Sequence, residues 1–381
     1  PNGAQGVWLN NHDLRQVTAV DFLDCTFENC HGAVLATGYG YDLRGKLAHF
    51  GFSRCRVLNP FGSNTTNAWT ALGGGQQVRL NPWVGYALYR DNFFDGGSET
   101  PDPVKNPGGI RKDGSHFGSP LRLLFTNNVV RHMGVEAVFQ TDEPYMGATE
   151  SWASFTIPPP DGTSAVQVTL LPVPSTYQAG QILNFRAPLL GIPGSINVFL
   201  TVVAYDPATR VLTVKNEGLT AGVGGAVLSG WAPIYLQTYN PTLATIVGNV
   251  IDGGEGRENL GVAAVAKATI AGNFIAGYVS GVYLYGNAQN LLFPPNRGIV
   301  IDSNVILTRD SSSSPYYTYG ILSYALEEII ANNLITTPAS FRFEGVCLRG
   351  DAAWIEANTV IPRQVGRQSY DSNDRSLGIG I

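Results

Sequence analysis

Charge is scarce in this chain. Asp, Glu, Lys and Arg make up 14% of its 381 residues, against about 25% in an ordinary soluble domain. With 24 Lys and Arg against 29 Asp and Glu, the net charge is −5, so there is no basic excess from which to build a nucleic-acid-binding stripe. No apolar run approaches the roughly 20 residues of a membrane span, and none is expected. Cysteine is rare as well, with four in the whole chain, no CxxC and no Cys/His cluster. That excludes the usual zinc frameworks, and neither metal nor cofactor is expected. The sequence starts at Pro1 with neither Met nor a signal peptide, and reads as a mature or trimmed product whose targeting segment is absent. A weakly charged surface interacts through hydroxyls, amides and aromatic rings, which suits a secreted or surface-displayed protein.

What the chain has in abundance is a spaced signature, apolar-x-x-Asn-x-apolar, that returns nine times. Examples are YRDNFF from Tyr89, FTNNVV from Phe125, IAGNFI from Ile270 and IDSNVI from Ile301. The shared polar position is Cys25, Cys55, Asn92, Asn128, Asn249, Asn273, Asn304, Asn333 and Asn358. Subtracting successive positions gives spacings of 30, 37, 36, 121, 24, 31, 29 and 25 residues. Apart from the large gap, each suits one turn of a coil of short strands, and self-similarity of this kind means a solenoid. Cores of Val, Ile and Phe with Gly close by favour strands over helices. A second motif beginning with Gly follows within most repeats, as in GVEAVFQ from Gly134, GVAAVAK from Gly261, GVYLYGN from Gly281 and GVCLRGD from Gly345.

Stacked coils explain the Asn. At a sharp bend an Asn tolerates left-handed backbone geometry and bonds local peptide groups. Identical Asn residues in successive coils also bond one another at the strand spacing of about 4.8 Å. The nine positions therefore predict an internal ladder, structural in role. Cys25 and Cys55 hold the same position in the first two repeats, close enough for a disulfide or for a reduced apolar stack. Cys30 and Cys347 fall near opposite ends of the solenoid.

These repeats resemble the right-handed parallel β-helix, or pectin-lyase-like, superfamily, whose members include polysaccharide lyases, glycoside hydrolases, uronan epimerases and phage tailspikes. The resemblance covers about residues 16 to 145 and 236 to 365 and implies architecture more than activity. The sequence lacks the adjacent aspartates with Gly-His-Gly of polygalacturonases, the DPHD string of alginate epimerases and the aspartate cluster of pectate-lyase calcium sites.

The 121-residue spacing between Asn128 and Asn249 holds something else. Less one coil of about 30 residues, it leaves an insertion beginning after Tyr145 and ending near Tyr239. Alternating runs such as SAVQVTLL from Ser164, INVFLTVVAYD from Ile196 and RVLTVKN from Arg210 predict a small antiparallel barrel or sandwich, with a hairpin turned by Asp206 and Pro207. The expected organisation is all-β. Residues 1–145 and 239–381 form the two parts of a parallel β-helix, and residues 146–238 form an inserted β-rich module.

In a solenoid the loops and outward side chains meet ligands. The most polar loops are Asn106 to Ser119 and Val129 to Tyr145. Aligning Gly109 on Gly134 stacks Arg111 over Glu136 and Asp113 over Val138, with Val135, Ala137 and Phe139 inward and Glu136, Val138 and Gln140 outward. Asp113 and Glu136 are candidates for a glycosidase carboxylate pair. Alternatively an Arg or Lys of this region, Arg111 among them, neutralises a uronate while a His or Tyr, His132 among them, takes a proton in β-elimination; the bland alternative is a surface salt bridge between Arg111 and Glu136 with His132 packed at a turn. Arg131 and Tyr145 lie beside them as substrate-binding candidates. Further on, Tyr283 and Tyr285 suit stacking on sugar rings or packing between subunits. Two functions follow: a polysaccharide hydrolase or lyase acting on an extracellular polymer, or a non-catalytic surface-assembly or receptor-binding β-helix, such as a homo-oligomeric, trimeric tailspike component.

Overall fold

The computed structural model describes residues 6–10, 19–30, 32–37, 47–59, 78–80, 84–97, 115–117, 122–132, 136–140, 145–150, 153–170, 177, 179–188, 195–219, 224–228, 234–239, 243–253, 260–264, 267–284, 297–309, 318–337, 343–349 and 352–362. Among them there is no helix. Three nine-stranded parallel sheets carry the repeats. The first runs from Val7–Asn10 to Phe343–Leu348, the second from Ala19–Leu23 to Ala352–Glu356, and the third from Thr26–Glu28 to Thr359–Pro362. The chain visits first, second and third sheet in turn, nine times over, an order consistent with a parallel β-helix. Apolar-x-x-Asn-x-apolar is thus the end of a second-sheet strand, a bend, and the start of a third-sheet strand.

At the bend the Asn side chains form the expected ladder. Asn92 Nδ2 donates to Asn128 Oδ1 at 2.9 Å, Asn128 to Asn249 at 3.1 Å, Asn249 to Asn273 at 2.9 Å, and so on to Asn358. Each Oδ1 also accepts the backbone N–H of the preceding ladder residue, and each Nδ2 donates to a carbonyl of the preceding coil, as Asn273 does to Ile246 at 2.9 Å. Asn128 is 0% and Asn273 2% exposed, so a polar column runs through the interior with its partners supplied. The left-handed backbone sits one place earlier than expected. Asp24, Arg54, Asp91, Asn127, Ser303, Asn332 and Ala357 have φ between 52° and 57°, and Gly248 and Gly272 complete the row. The residue before the Asn turns the corner, which leaves the Asn itself free to point into the tube.

All four cysteines are free. Cys55 ends the ladder: its N–H donates to Asn92 Oδ1 at 2.8 Å while its thiol reaches the Phe22 and Ser53 carbonyls at 3.4 Å. Burial pushes that thiol up to about 11, so it stays protonated at neutral pH. Beside the ladder the core is stacked by column. Phe52, Tyr89 and Phe125 pair across the first coils, and the same column continues as Ile246, Ile270 and Ile301.

Between first-sheet strand Glu136–Gln140 and second-sheet strand Leu243–Val247 the chain makes a six-stranded antiparallel sheet and a two-stranded pair. Its first and last strands, Tyr145–Glu150 and Ile234–Tyr239, pair with each other, so the chain leaves and returns at one place. Phe155, Phe185, Leu200 and Val214 belong to a buried apolar cluster of its own. The expected hairpin is present: Asp206 pairs with Val211, and its carboxylate accepts from Ala208 N and Thr209 Oγ1. Glu217 of this segment, hydrogen-bonded to Thr201 and 2.7 Å from Lys215 Nζ, also feels the charge of Arg297 on the second sheet.

One acid is buried within the coils. Glu328 is 5% exposed on strand Glu327–Ala331, paired with Ile299 and Ala353. Burial raises its carboxyl to about 6, which a hydrogen bond with Ser323 only partly offsets. Its folded value lies above the 4.5 of a free glutamate, so this contribution to stability is complete below pH 4.5 and is lost as pH rises through about 6. Relative to the parent, Glu328→Gln should therefore gain about 2 kcal/mol between pH 4 and pH 7 in denaturant unfolding; parallel stability curves for the two proteins would contradict the assignment. The ladder yields a second expectation. Asn273→Ala strips the acceptor from two buried donors of Asn249 and the donor from the Ile246 carbonyl, and should cost ~3 kcal/mol or more at about 1–3 kcal/mol per orphaned group. A loss under 1 kcal/mol by the same measurement would mean that the ladder is not a source of stability.

Candidate functional site

Arg111, Asp113 and Tyr285 lie outside the described residues. Glu136 opens the first-sheet strand Glu136–Gln140, and Tyr145 opens the antiparallel sheet, opposite Thr238. The two therefore belong to different sheets. The expected stacking of Asp113 over Val138 is not formed, because Ser115 pairs with Val138 and His116 with Phe139. In the other direction Val138 pairs with Val262 and Gln140 with Ala264, both core residues. Phe139 pairs with Ala263, whose column continues as Tyr283 and Leu322. Gly261, Gly281, Gly320 and Gly345 keep equal offsets to their strands, but Glu136 pairs with Leu260, so aligning the leading glycines does not give the register of this strand.

Two of the expected site residues do meet ionisable partners, at the corner after the third sheet. Asp95, Arg131 and Asp252 are in register on adjacent strands. At about 4.8 Å per strand the two carboxylates are about 9.6 Å apart along the axis with the guanidinium residue between them. His132 follows Arg131 in the left-handed conformation, φ 55°, and its N–H donates to the Asp252 carbonyl at 2.8 Å. Its Nδ1 is hydrogen-bonded to Asp95 Oδ1 at 2.8 Å. The same carboxylate accepts from Gly97 N at 2.9 Å. Burial alone would raise Asp95; the His132 bond, the Gly97 amide and the charge of Arg131 outweigh it and hold the carboxyl below the usual range. Asp95 is thus an ionised orienting group, and His132 an imidazole fixed through Nδ1 and left 40% exposed.

The corner continues for another two coils. Tyr278 is 1% exposed, and its hydroxyl is buried without a hydrogen-bond partner among the described residues. Burial first, and the charge of Asp252 second, push its phenol far above the ordinary value, with Arg309 opposing. Asp95 and Asp252 were not singled out by the motifs, yet both stand three residues after a ladder Asn, as Arg131 does. Equal offset from the ladder was the available signal.

A second oriented imidazole lies on the second sheet. His49 Nε2 is 2.8 Å from Asp21 Oδ1, and its ring stacks on Tyr86 at 5.6 Å. Asp21 is paired with Gly51, where a Cβ would come within van der Waals overlap of the Asp21 carboxylate. Only a glycine leaves room for the carboxylate to cross the strand. Tyr283, expected to touch substrate, is partly exposed on the first sheet, 6.2 Å from the Tyr324 ring.

Among the described residues no three His, Cys, Asp or Glu side chains are grouped to hold a metal ion, and no helix is long and apolar enough to cross a membrane. No protein-family model matches the chain. Neither the curated proteins nor the solved structures contain a match.

Proposed function

We propose that this chain is an extracellular polysaccharide-processing protein built on a right-handed parallel β-helix of the pectin-lyase-like type, with residues 146–238 as an inserted module. The observation that carries the reading is the Asp95–His132 pair in register with Arg131 and Asp252. Elimination fits this corner better than hydrolysis. A hydrolase of the paired-carboxyl kind needs one carboxyl that keeps its proton at working pH, whereas Asp95 is held ionised. An imidazole fixed at Nδ1 by a carboxylate presents Nε2 to take a proton. In this reading His132 removes the proton next to a sugar carboxylate, Arg131 stabilises the charge that develops there, and the glycosidic C–O bond breaks to leave an unsaturated ring. A column along the axis suits a polymer, because successive sugars meet successive coils.

A second reading, non-catalytic self-assembly, is favoured by apolar exposure. Val250 is 36% and Phe274 38% exposed at paired positions of the third sheet, and Ile329 and Trp354 are 46% and 65% exposed at paired positions of the second. Two readouts separate the readings. On a panel of acidic and neutral polysaccharides the purified chain should release ends that absorb in the ultraviolet, and His132→Asn should lower the rate by about 10²–10⁴. Asp95→Asn should follow it while circular dichroism stays unchanged. No product from any polymer, with concentration-dependent association in sedimentation, would replace the enzyme with the assembly reading.

A further inference from the structure

Arg349 follows the last first-sheet strand, Phe343–Leu348, and its backbone N–H donates to the Ser323 carbonyl at 2.8 Å. Its Nη1 donates to Tyr324 Oη at 2.7 Å, with the guanidinium carbon 5.4 Å from the centre of the same ring. Tyr324 is 5% exposed, so the phenol is a fixed seat. The Cys347 thiol and the Tyr319 phenol also act on Arg349. Burial pushes Cys347 up to about 11 and Tyr319 up to about 12, and both are neutral at physiological pH. Among the described residues no carboxylate stands within ion-pair distance of Arg349. An exposed arginine usually either waves in solvent or pairs with an acid. This one is held by phenol and thiol groups; the nearest described carboxylate, Glu344, bears on the Cys347 thiol and the Tyr319 phenol, not on the guanidinium.

A guanidinium has five donors in a planar fork, and Tyr324 and the Cys347 thiol engage only part of it. Tyr283 stands on the same side of the sheet, two coils earlier, in the column Tyr283, Leu322, Cys347. Two strand spacings are about 9.6 Å, close to the length of two sugar rings. We propose that Arg349, seated on Tyr324, is a receptor for an oxyanion carried on a saccharide, with Tyr283 contacting a neighbouring ring. The oxyanion half stands on the geometry of Arg349, whereas the saccharide half rests on the polysaccharide reading above. The anion is a carboxylate or a sulfate, which a planar fork binds through paired hydrogen bonds.

Binding is measured by titration calorimetry in the His132→Asn background, so that no probe is consumed and a failure of the proposed chemistry leaves the result intact. The probes are an oligouronate, a sulfated oligosaccharide, a neutral oligosaccharide of similar length, and inorganic phosphate. At least one charged oligosaccharide should bind about tenfold or more tighter than the neutral one, and Arg349→Ala should abolish that difference. Arg349→Lys should recover only part of it, since an ammonium keeps the charge but loses the fork. Tyr324→Phe should weaken the charged probe and leave the neutral one unchanged. Equal binding of neutral and charged oligosaccharides, or no effect of Arg349→Ala in a protein with unchanged circular dichroism, would overturn the oxyanion site. Phosphate binding as tightly as the oligosaccharides would overturn its saccharide half.

Discussion

The asparagine ladder is the constraint on which the rest of this structure depends. Six side-chain bonds of 2.8–3.1 Å run from Asn92 to Asn358, each flanked by backbone bonds to the coils on either side. A buried amide without partners is costly, so one coil cannot slip against the next without leaving several polar groups unpaired at once. That fixes the register of the second sheet, which ends at the ladder, and of the third, which begins from it. It also tolerates interruption. Asn128 bonds Asn249 across 121 residues, as Asn249 bonds Asn273 across 24, so a whole antiparallel sheet fits between two adjacent rungs.

This division explains how much of the molecule was legible. The nine register positions and the strands on both sides of them could be read because the ladder ties a sequence pattern to a register. The first sheet is tied less firmly. It is separated from the ladder by segments of variable length, and its glycines are set by local crowding: a Cβ at Gly281 would overlap Ile306, and one at Gly320 would overlap Ile335. Aligning the leading glycines therefore missed the register of the strand Glu136–Gln140, where Glu136 pairs with Leu260 and Val138 with Val262. The left-handed residue was misplaced for a related reason. Position, not side-chain preference, decides it, as Arg54 and Ala357 show by adopting φ 53° and 52°.

The same logic governs the candidate site. The most polar loops of the sequence lie around Arg111 and Asp113. The ionisable groups in register at the corner after the third sheet are single residues at a fixed offset, Asp95, Arg131 and Asp252, in strands that otherwise look like scaffold. Nothing in one repeat marks them. Only stacking three repeats brings acid, base and acid into one column, and the interruption between Asn128 and Asn249 hides the last of them far along the chain.

Chemistry at that corner also inherits the rigidity of the ladder. His132 sits four residues after Asn128, its backbone bonded to one neighbouring coil and its ring to the other. An imidazole held at both ends loses little further freedom when it meets a substrate, and preorganisation of that kind is what lets a small set of groups act on a large polymer. The orphaned phenol of Tyr278 belongs to the same line of argument. A buried hydroxyl without a partner among the described residues costs stability, and this one feels the charges of Asp252 and Arg309. The same third-sheet position carries Ala276, Leu307, Thr336 and Ile361 in the later coils. The polar residues retained at this corner, against that background, mark it as the place where the solenoid departs from packing alone.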